Sequence, residues 1–299
     1  MRDGQIAAAG HPAPFHLEYV GIGNEDKMTP EFQDRFKMIS TALHKKHPGI
    51  KIIGTAGPFA EGEDFDKGWK LARELQVPII DEHYYIEPEW FVSHQHRYDS
   101  YNRTGPQVYL GEYATWGNKV RNAIAEAAYM TGLERNGDVV RMASYAPMLA
   151  KKGFTQWKID MIFFDNVRIC PTPNFYVQKL FMTNQGDRYF GNVIVKDEMD
   201  TALAASCVQE SGTGDIILKL VNAGKKSGSM KIDLSGFPNL KSDAEQTVFA
   251  GDADAENTFE NPQRVVPIKS TCTVSSIFEY KAPAMSLTVI RIKQKEKNN

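Results

Sequence analysis

The sequence predicts two regions of different fold class, a parallel α/β region over residues 1–186 and an antiparallel β domain over residues 187–299. Before Gly186, short apolar runs alternate with longer stretches of helical periodicity, which is typical of consecutive βα units. After Gly186 the helical periodicity ends, and segments of alternating polar and apolar residues indicate antiparallel strands. A chain of 299 residues with 42% hydrophobic residues is long enough to build both regions.

Five apolar runs are predicted as the strands of the parallel sheet. Successive runs begin about 30 residues apart, which is the length of one βα unit. The runs comprise residues 17–22, 50–55, 77–81, 108–111 and 139–145.

The stretches between these runs predict amphipathic helices. In the first, Thr29 is a good N-cap and Pro30 suits the first helical position, while residues 47–49 (HPG) end the helix. Residues 64–76 and 118–134 repeat the pattern, so each helix is expected to pack one apolar face on the sheet. For the first helix that face comprises Phe32, Phe36, Ile39 and Leu43; for the third it comprises Val120, Ile124, Ala127 and Leu133.

The second region is predicted to be a small β-sandwich, because it consists of short alternating segments separated by turn residues. Six segments show the alternation: residues 189–196, 202–209, 215–222, 229–234, 245–250 and 285–293.

Composition excludes several classes of partner. The formal net charge is -2 and charges of both signs are mixed along the chain, so no basic face for nucleic acid and no polybasic membrane anchor is predicted. No apolar run is long enough for a membrane span, and no signal peptide is visible, which leaves the compartment undetermined. The widely spaced Cys170, Cys207 and Cys272 are interpreted as buried or free thiols. His94 and His96 are interpreted as part of a solvated loop, because no third metal ligand lies nearby in the sequence.

Polar side chains follow three of the predicted strands. Gly23, Asn24 and Glu25 follow the first, residues 81–85 (DEHYY) close the third, and Glu112 follows the fourth. The carboxyl ends of parallel strands carry the functional site in α/β folds. For a single glutamate, a helix cap or a surface ion pair is the simpler interpretation. Two carboxylates that converge beside an aromatic strand end, one protonated and one ionised, instead favour a glycosidase.

These motifs together resemble the family 51 glycoside hydrolases, which are retaining α-L-arabinofuranosidases built on a (β/α)8 barrel with a β-sandwich. The stretches YVGIGNED, IIDEHYY and VYLGEYATW are followed in the same order by MASYAPMLA and TPNFYVQKLF. The C-terminal YKAPAMSLTVIRI is similar to the closing strands of that family's sandwich. The resemblance implies a partial (β/α)8 TIM barrel, strands four to eight, followed by an antiparallel β-sandwich, and it implies no metal and no organic cofactor.

The resemblance also implies roles for six residues. Glu25 matches the acid/base at the end of the fourth barrel strand, and Glu112 matches the nucleophile at the end of the seventh. The substrate-binding residues are Asn24, which matches a residue bound to the sugar 2-hydroxyl, His83 and Tyr85, which match groups beside the nucleophile, and Trp116, which matches an aromatic near the sugar. Trp157 is a weaker candidate, and Trp90 fits a sugar platform and a core position equally well.

The function implied is the release of terminal α-L-arabinofuranosyl groups from arabinan, arabinoxylan or their oligosaccharides by double displacement. Two alternatives stay open: another retaining barrel glycosidase, such as a β-xylosidase or endo-glucanase, and a non-catalytic carbohydrate-binding remnant. Because the resemblance begins at the fourth barrel strand, the expectation is that the isolated chain has little activity. Unpaired edge strands would then favour association, including a homo-oligomer.

Overall fold

A computed structural model describes residues 8–11, 13, 15–197 and 199–295 of the chain. It divides into two compact units. The first comprises the residues up to His83 together with Arg103–Tyr109, and the second comprises Tyr84–Asn102 together with the residues from Leu110 onward. The boundary predicted between residues 186 and 187 separates two fold classes along the sequence and not two compact units, and it stays a prediction. The first ten residues, in which no signal peptide was expected, lie largely outside the described part.

The first unit contains the beginning of a parallel sheet. Its five strands lie at the five apolar runs predicted from the sequence. Its strands follow chain order, and β1 pairs with β2 and β2 with β3, both in parallel. The strands are β1 (Tyr19–Gly21), β2 (Lys51–Thr55), β3 (Ile79–Ile86), β4 (Gln107–Thr115) and β5 (Val140–Tyr145).

The first unit contains two of the predicted helices, α1 (Pro30–Lys46) and α2 (Glu63–Glu74). Helix α1 begins as expected, since the Phe32 N–H donates to Thr29 Oγ1 at 3.3 Å and Pro30 occupies the first turn. The predicted apolar face of α1 is only partly correct. Phe36 is buried, but Ile39 is 46% exposed.

Helix α2 approaches β2 very closely, which only a glycine permits. A Cβ placed on Gly68 would lie 2.7 Å from the Thr55 carbonyl oxygen and 2.8 Å from the Ala56 Cα. The close packing fixes the position of the carboxyl end of β2.

Strands β3 and β4 run further than the sequence predicts, and this corrects the predicted strand ends. The predicted third run stops at Asp81, whereas β3 continues to Ile86; the predicted fourth stops at Gly111, whereas β4 continues to Thr115. His83, Tyr85 and Glu112 therefore lie within strands and not after them. Strand alternation therefore sets the directions of their side chains, and a strand holds these directions more rigidly than a loop would.

The second unit contains the carboxyl parts of β3 and β4, together with β5 and the remaining helices. These are α3 (Pro88–Ser93), a 3-10 turn (Arg97–Ser100), α4 (Val120–Arg135) and α5 (Pro173–Met182). Between β5 and α5 lies a small sheet that the sequence analysis did not predict, in which β7 pairs in parallel with β6 and antiparallel with β8. Its strands are β6 (Leu149–Lys151), β7 (Ile162–Phe164) and β8 (Ile169–Pro171).

Helix α4 differs from the predicted amphipathic helix because almost every side chain between Val120 and Gly132 is buried. Helices α3 and α5 contact it, and so do strands of the C-terminal sandwich. At Gly132 a Cβ would lie 2.2 Å from the Gln95 carbonyl oxygen, so the helix is enclosed too closely there for any side chain. A helix surrounded on all sides shows little apolar periodicity, which explains the error.

The C-terminal region confirms the predicted antiparallel sandwich. A six-stranded sheet in the order β15-β14-β17-β12-β11-β9 faces a three-stranded sheet in the order β10-β13-β16, and every pair for which a register is defined is antiparallel. The strands are β9 (Arg188–Tyr189), β10 (Ile194–Val195), β11 (Leu203–Glu210), β12 (Asp215–Asn222), β13 (Gly228–Asp233), β14 (Asp243–Ala250), β15 (Ile268–Thr273), β16 (Ile277–Ala282) and β17 (Ser286–Ile292). One core joins the sheets, with Leu218 and Ile290 from the larger sheet and Met230 and Ile232 from the smaller.

Two details of the sandwich differ from the prediction. Residues 189–196 form two separate two-residue strands and not one segment, and β15 and β16 were not predicted. In β15 nearly all residues are exposed, so the strand carries no alternating pattern to detect.

Two interpretations made from composition agree with the structure. Cys170, Cys207 and Cys272 are free thiols, the first two of them buried. Among the described residues, no helix combines the length and apolar character needed to cross a membrane.

Candidate functional site

The turn after β1 presents Glu25 in an unusual backbone conformation. Gly23 has φ 92° and Glu25 has φ 57°, both in the left-handed region that non-glycine residues rarely occupy. A Cβ on Gly23 would lie 2.8 Å from both Asp26 Oδ2 and Thr55 Cγ2, so this position requires glycine. The Asn24 N–H donates to Asp26 Oδ2 at 2.7 Å, which closes the turn. Strain of this kind is concentrated at functional sites.

In the first unit, His83 connects Glu25 to a second carboxylate. Its Nδ1 lies 2.9 Å from Glu25 Oε1, and its Nε2 lies 3.2 Å from Asp81 Oδ2. The His83 side chain is only 3% exposed, whereas that of Glu25 is 35% exposed. An imidazole held at both nitrogens has a fixed orientation, and it leaves the Glu25 carboxyl group accessible from solvent.

Asp81 and His83 lie on one face of β3, and strand alternation places Glu82 on the other. Glu82, between Asp81 and His83, is fully buried and accepts a hydrogen bond from the Trp69 indole N–H at 2.8 Å. Asp81 and His83 therefore share one face of β3, and Glu82 points to the other face, toward helix α2. The sequence analysis did not identify Asp81 as a site residue, although it lies two residues before His83.

In the second unit, Glu112 lies beside three aromatic rings. The Tyr85 hydroxyl donates to Glu112 Oε2 at 2.7 Å. The Tyr85 ring lies 6.0 Å from the Trp116 ring and 5.2 Å from the Trp157 ring, and the two indoles are nearly parallel at 5.7 Å. We call Tyr85, Trp116 and Trp157 the aromatic wall. Trp116 and Trp157 are 45% and 41% exposed, so the wall presents apolar ring surface to solvent.

Exposed aromatic rings beside a carboxylate are suited to sugars. The C–H faces of a sugar ring pack on aromatic surface, while its hydroxyls require hydrogen-bonding groups. Trp157, a weaker candidate by sequence, belongs to this wall. The signal for it was only its position in the loop after the last strand.

The other aromatic and histidine candidates lie elsewhere. Trp90 stacks on His94 at 4.2 Å and packs against the buried Tyr84, so it belongs to the core of the second unit. His96 Nδ1 lies 2.7 Å from Asp99 Oδ2. Within the described residues neither His94 nor His96 belongs to a group of three possible metal ligands.

A buried carboxylate, Glu126 of α4, anchors the end of β4. Its Oε1 accepts from the Thr115 N–H at 3.0 Å, from the Thr115 hydroxyl at 3.0 Å and from the Asn174 amide at 2.8 Å. Gln178 donates weakly to Oε2 at 3.4 Å and accepts from the Tyr113 hydroxyl at 2.9 Å. Tyr113 and Thr115 share one face of β4, so this network fixes the face opposite Glu112.

Burial dominates the ionisation of Glu126. Loss of hydration raises its pKa to about 7, although the hydrogen bonds from Thr115, Asn174 and Gln178 favour the charged form. Glu126 was not predicted as a site residue. The available signal was a single glutamate among alanines and isoleucine in the middle of a helix, which also fits an exposed position.

The structure thus gathers the predicted site residues into two groups. Glu25 and His83 are in contact in the first unit, where Asn24 is exposed on the same turn. Tyr85, Glu112 and Trp116 are gathered in the second unit.

Two family models match the chain. The model of the α-L-arabinofuranosidase C-terminal domain matches residues 111–286, and that of the α-L-arabinofuranosidase 1 domain matches residues 3–103.

The chain is also similar to curated α-L-arabinofuranosidases and to solved structures of such enzymes. The chain is 50% identical over 182 residues to an extracellular exo-α-L-arabinofuranosidase of Streptomyces chartreusis, covering 61% of this chain and 22% of the relative. It is 30% identical over 270 residues to α-L-arabinofuranosidase 2 of Arabidopsis thaliana, covering 88% and 39%. An arabinose-bound GH51 α-L-arabinofuranosidase structure superimposes with a TM-score of 0.87 at 32% identity, covering 98% of this chain and 48% of that one. The chain therefore spans less than half the length of these proteins.

Proposed function

This chain belongs to the α-L-arabinofuranosidase family, and on that premise we propose that it carries the catalytic pair of a retaining exo-acting glycosidase. The proposed reaction releases terminal α-L-arabinofuranosyl groups from arabinan, arabinoxylan or their oligosaccharides. The observation that carries the proposal lies in the second unit, where the Tyr85 hydroxyl donates to Glu112 Oε2 beside the exposed indoles of Trp116 and Trp157. In the first unit, His83 contacts Glu25.

Glu112 is proposed as the nucleophile. Its carboxylate attacks the anomeric carbon, the bond to the leaving oxygen breaks, and a covalent glycosyl-enzyme forms. The Tyr85 hydroxyl donates to Oε2 and holds the carboxylate plane. Trp116 and Trp157 flank the sugar ring, so that ring packing excludes water from one side.

Glu25 is proposed as the acid/base. It gives its proton to the leaving oxygen in the first step and takes a proton from the attacking water in the second. His83 and Asp81 hold the carboxyl group in place through the imidazole, and the strained turn at Glu25 fixes its backbone. Asn24, exposed on the same turn, is proposed to bind the sugar 2-hydroxyl.

The finer assignment of the fold is also a proposal. We assign the five parallel strands to positions four to eight of a (β/α)8 barrel, with the sandwich beginning near residue 187. The regular β1 to β5 order and the superposition on the GH51 structure support this assignment. It places Glu25 after the fourth strand and Glu112 at the seventh.

Substitution of each carboxylate tests the roles. Glu112→Ala should abolish turnover of every arabinofuranoside. Glu25→Ala should spare the first step for aryl arabinofuranosides with good leaving groups, because these need little protonation. Azide should then restore the second step by attacking the glycosyl-enzyme without a general base. Rates are measured with aryl arabinofuranosides after strands one to three of the proposed barrel are restored to the chain, and the exposed Glu279 of β16 supplies the control variant Glu279→Gln.

Equal losses in both variants on all substrates, with no glycosyl azide formed, would contradict these roles. Faster cleavage of an aryl β-xyloside than of the arabinofuranoside would contradict the proposed substrate.

A further inference from the structure

A cavity of about 710 Å³ lies in the second unit, between helix α5 and strands β14, β15 and β17 of the six-stranded sheet. Its volume is in the range of small-ligand sites. Among the described residues, no member of the aromatic wall lines it, so the cavity is separate from the candidate sugar surface beside Glu112. Four lining positions of α5 and its C-cap follow the helical period and share one face. They are Tyr176, Lys179, Leu180 and Thr183.

The sheet contributes further charged side chains to the cavity. In the register of the sheet, Glu245 of β14 lies opposite Arg291 of β17, and Thr247 lies opposite Lys269 of β15. Alternation along the strands places these four side chains on the same face of the sheet, away from the core residue Ile290. The cavity is therefore formed by the face of the sandwich that is directed toward α5.

The end of α5 beside the cavity is capped by side chains. The Thr183 hydroxyl donates to the Lys179 carbonyl at 2.8 Å, and the Asn184 amide donates to the Leu180 carbonyl at 2.9 Å. Bare carbonyls at the end of a helix carry partial negative charge and repel anions. The two caps reduce this repulsion, so the charged side chains dominate the electrostatics of the cavity.

Two of the four charged lining side chains have partners outside the lining. The Arg291 guanidinium donates to Glu210 at 2.6 Å and to Asp215 at 2.9 Å. The Glu245 carboxylate accepts from the Lys293 ammonium at 2.5 Å. These contacts leave the charges of Arg291 and Glu245 largely compensated within the protein.

The other two charged side chains, Lys179 and Lys269, are exposed and form no ion pair among the residues that the structure describes. Lys179 Nζ lies over the Phe175 ring, 5.8 Å from its centroid. The pKa of Glu245 is lowered mainly by its hydrogen bond with Lys293, and Lys269 adds to that effect. When the lining charges and their partners are counted together, four cations stand against three carboxylates. The excess of one cation favours a ligand with a single negative charge.

The neutral part of the lining is suited to a sugar. The Tyr176 ring is partly exposed and lies nearly parallel to the fully buried Phe249, with the ring centroids 6.3 Å apart. Burial raises the pKa of Tyr176, so its hydroxyl stays protonated and can donate. A supported aromatic ring packs against the C–H face of a sugar, and neutral polar groups bind its hydroxyls. Such groups belong to Thr247, Gln263 and Ser270.

We propose that this cavity binds a uronic acid unit, a sugar that carries one carboxylate, of an acidic glycan. The ammonium groups of Lys179 and Lys269 bind the carboxylate, and Tyr176 packs against the sugar ring. The inference goes beyond the proposed function, because none of these residues belongs to the proposed catalytic site. A second point of attachment raises the affinity of the chain for an acidic glycan without any change at the first.

The test compares trigalacturonate with its methyl ester, which keeps the sugar chain and removes its charges. Both are titrated by NMR into the full 299-residue chain. We expect trigalacturonate to bind at least tenfold more tightly. Lys179→Gln or Lys269→Gln should weaken trigalacturonate binding roughly three- to tenfold, between the effects of an exposed ion pair and of a buried charged hydrogen bond. Binding of the ester should change less than twofold. Lys231→Gln, which alters an exposed lysine of β13, is the matched control and should change neither affinity.

Three results would overturn the proposal. The first is equal affinity for trigalacturonate and its ester, or no binding of trigalacturonate. The second is a trigalacturonate affinity that neither lysine variant changes. The third is displacement of trigalacturonate by inorganic phosphate at comparable concentration, which would indicate a site for simple anions. All three leave the proposed function standing, because that function is tested separately with aryl arabinofuranosides and variants of Glu25 and Glu112.

Discussion

The Tyr85 hydroxyl contacts Glu112 and illustrates what one residue contributes to the site. At 2.7 Å it donates to Oε2 of the carboxylate, and its ring contacts both tryptophans of the aromatic wall. One side chain therefore orients the proposed nucleophile Glu112 and shapes the proposed sugar surface. Its hydrogen bond is charge-assisted, which makes it stronger than a neutral one.

Tyr85→Phe should lower kcat/KM on aryl arabinofuranosides roughly ten- to hundredfold, since a hydrogen bond to a charged group contributes about 1.5–3 kcal/mol. The ring remains, so sugar packing is kept and the loss should appear mainly in kcat. Tyr280→Phe is the matched control, because that hydroxyl also forms hydrogen bonds, to Thr288 and Gln246, but within the sandwich. A purely structural role for Tyr85 would instead lower the melting temperature of the Tyr85 variant and leave kcat intact.

At the scale of elements, Glu126 joins β4, α4 and α5 through one buried carboxylate. Thr115 belongs to the strand, Glu126 to helix α4, and Asn174 and Gln178 to helix α5. Burial raises the pKa of Glu126 to about 7, so its ionisation changes near neutral pH. The stability of this element junction should therefore depend on pH.

The sign of the pH dependence follows from the pKa of Glu126 in the folded chain and in the unfolded chain. The folded chain keeps the Glu126 proton up to about pH 7, whereas the unfolded chain releases it near pH 4.5. The folded state thus binds more protons between these values, and the free energy of unfolding falls as pH rises through this window. The full penalty, on the order of 3 kcal/mol, is reached above pH 7.

Glu126→Gln should remove this pH dependence while keeping the volume of the side chain. Relative to the parent, the variant should gain stability steadily between about pH 4.5 and pH 7 and then stay constant. Urea unfolding at several pH values measures the difference, with Glu279→Gln as the control that shows no such trend. A constant difference across the window would mean that Glu126 titrates near its ordinary pKa.

The same elements show what the sequence predicts and what it does not. Apolar runs predicted the five strands, and strand ends predicted Glu25 and Glu112 as candidates, because carboxylates next to apolar strands are unusual. Glu126 could not be recognised, since a glutamate in a helix is ordinarily exposed and its burial depends on α3, α5 and the sandwich packing around α4. Tertiary enclosure removes the helical period that local prediction uses.

In the sandwich and in the site, features that depend on tertiary neighbours could likewise not be predicted from the sequence. β15 is a polar edge strand with nearly every residue exposed, so it pairs with β14 without an alternating apolar pattern that the sequence could reveal. Asp81 and Trp157 acquire their significance from neighbours that the sequence does not specify, His83 for the first and Trp116 for the second.

At the scale of the molecule, helix α4 connects the strand that carries Glu112 to the sandwich. Glu134 near its end accepts from Lys219 of β12 at 2.5 Å and from Ser206 of β11 at 2.5 Å. Lys219 is fully buried, and burial lowers its pKa although Glu134 favours its charged form. A buried ion pair of this kind fixes the relative position of two elements more than it adds stability. The sandwich thereby supports the end of β4 through α4.

The arrangement of the two carboxylates decides the stereochemistry of the reaction. Retaining glycosidases hold their carboxyl groups about 5–5.5 Å apart, whereas inverting enzymes hold them about 6.5–9.5 Å apart to admit a water molecule. The proposed roles, Glu112 as nucleophile and Glu25 as acid/base, require the shorter separation and therefore predict retention. We expect NMR of aryl α-L-arabinofuranoside cleavage to show α-arabinofuranose before mutarotation, and cleavage in methanol to give the methyl α-arabinofuranoside. Each product requires two successive inversions, by Glu112 and then by the acceptor activated by Glu25. Initial release of the β-anomer would mean that water attacks directly, and Glu112 would then be a base and not a nucleophile.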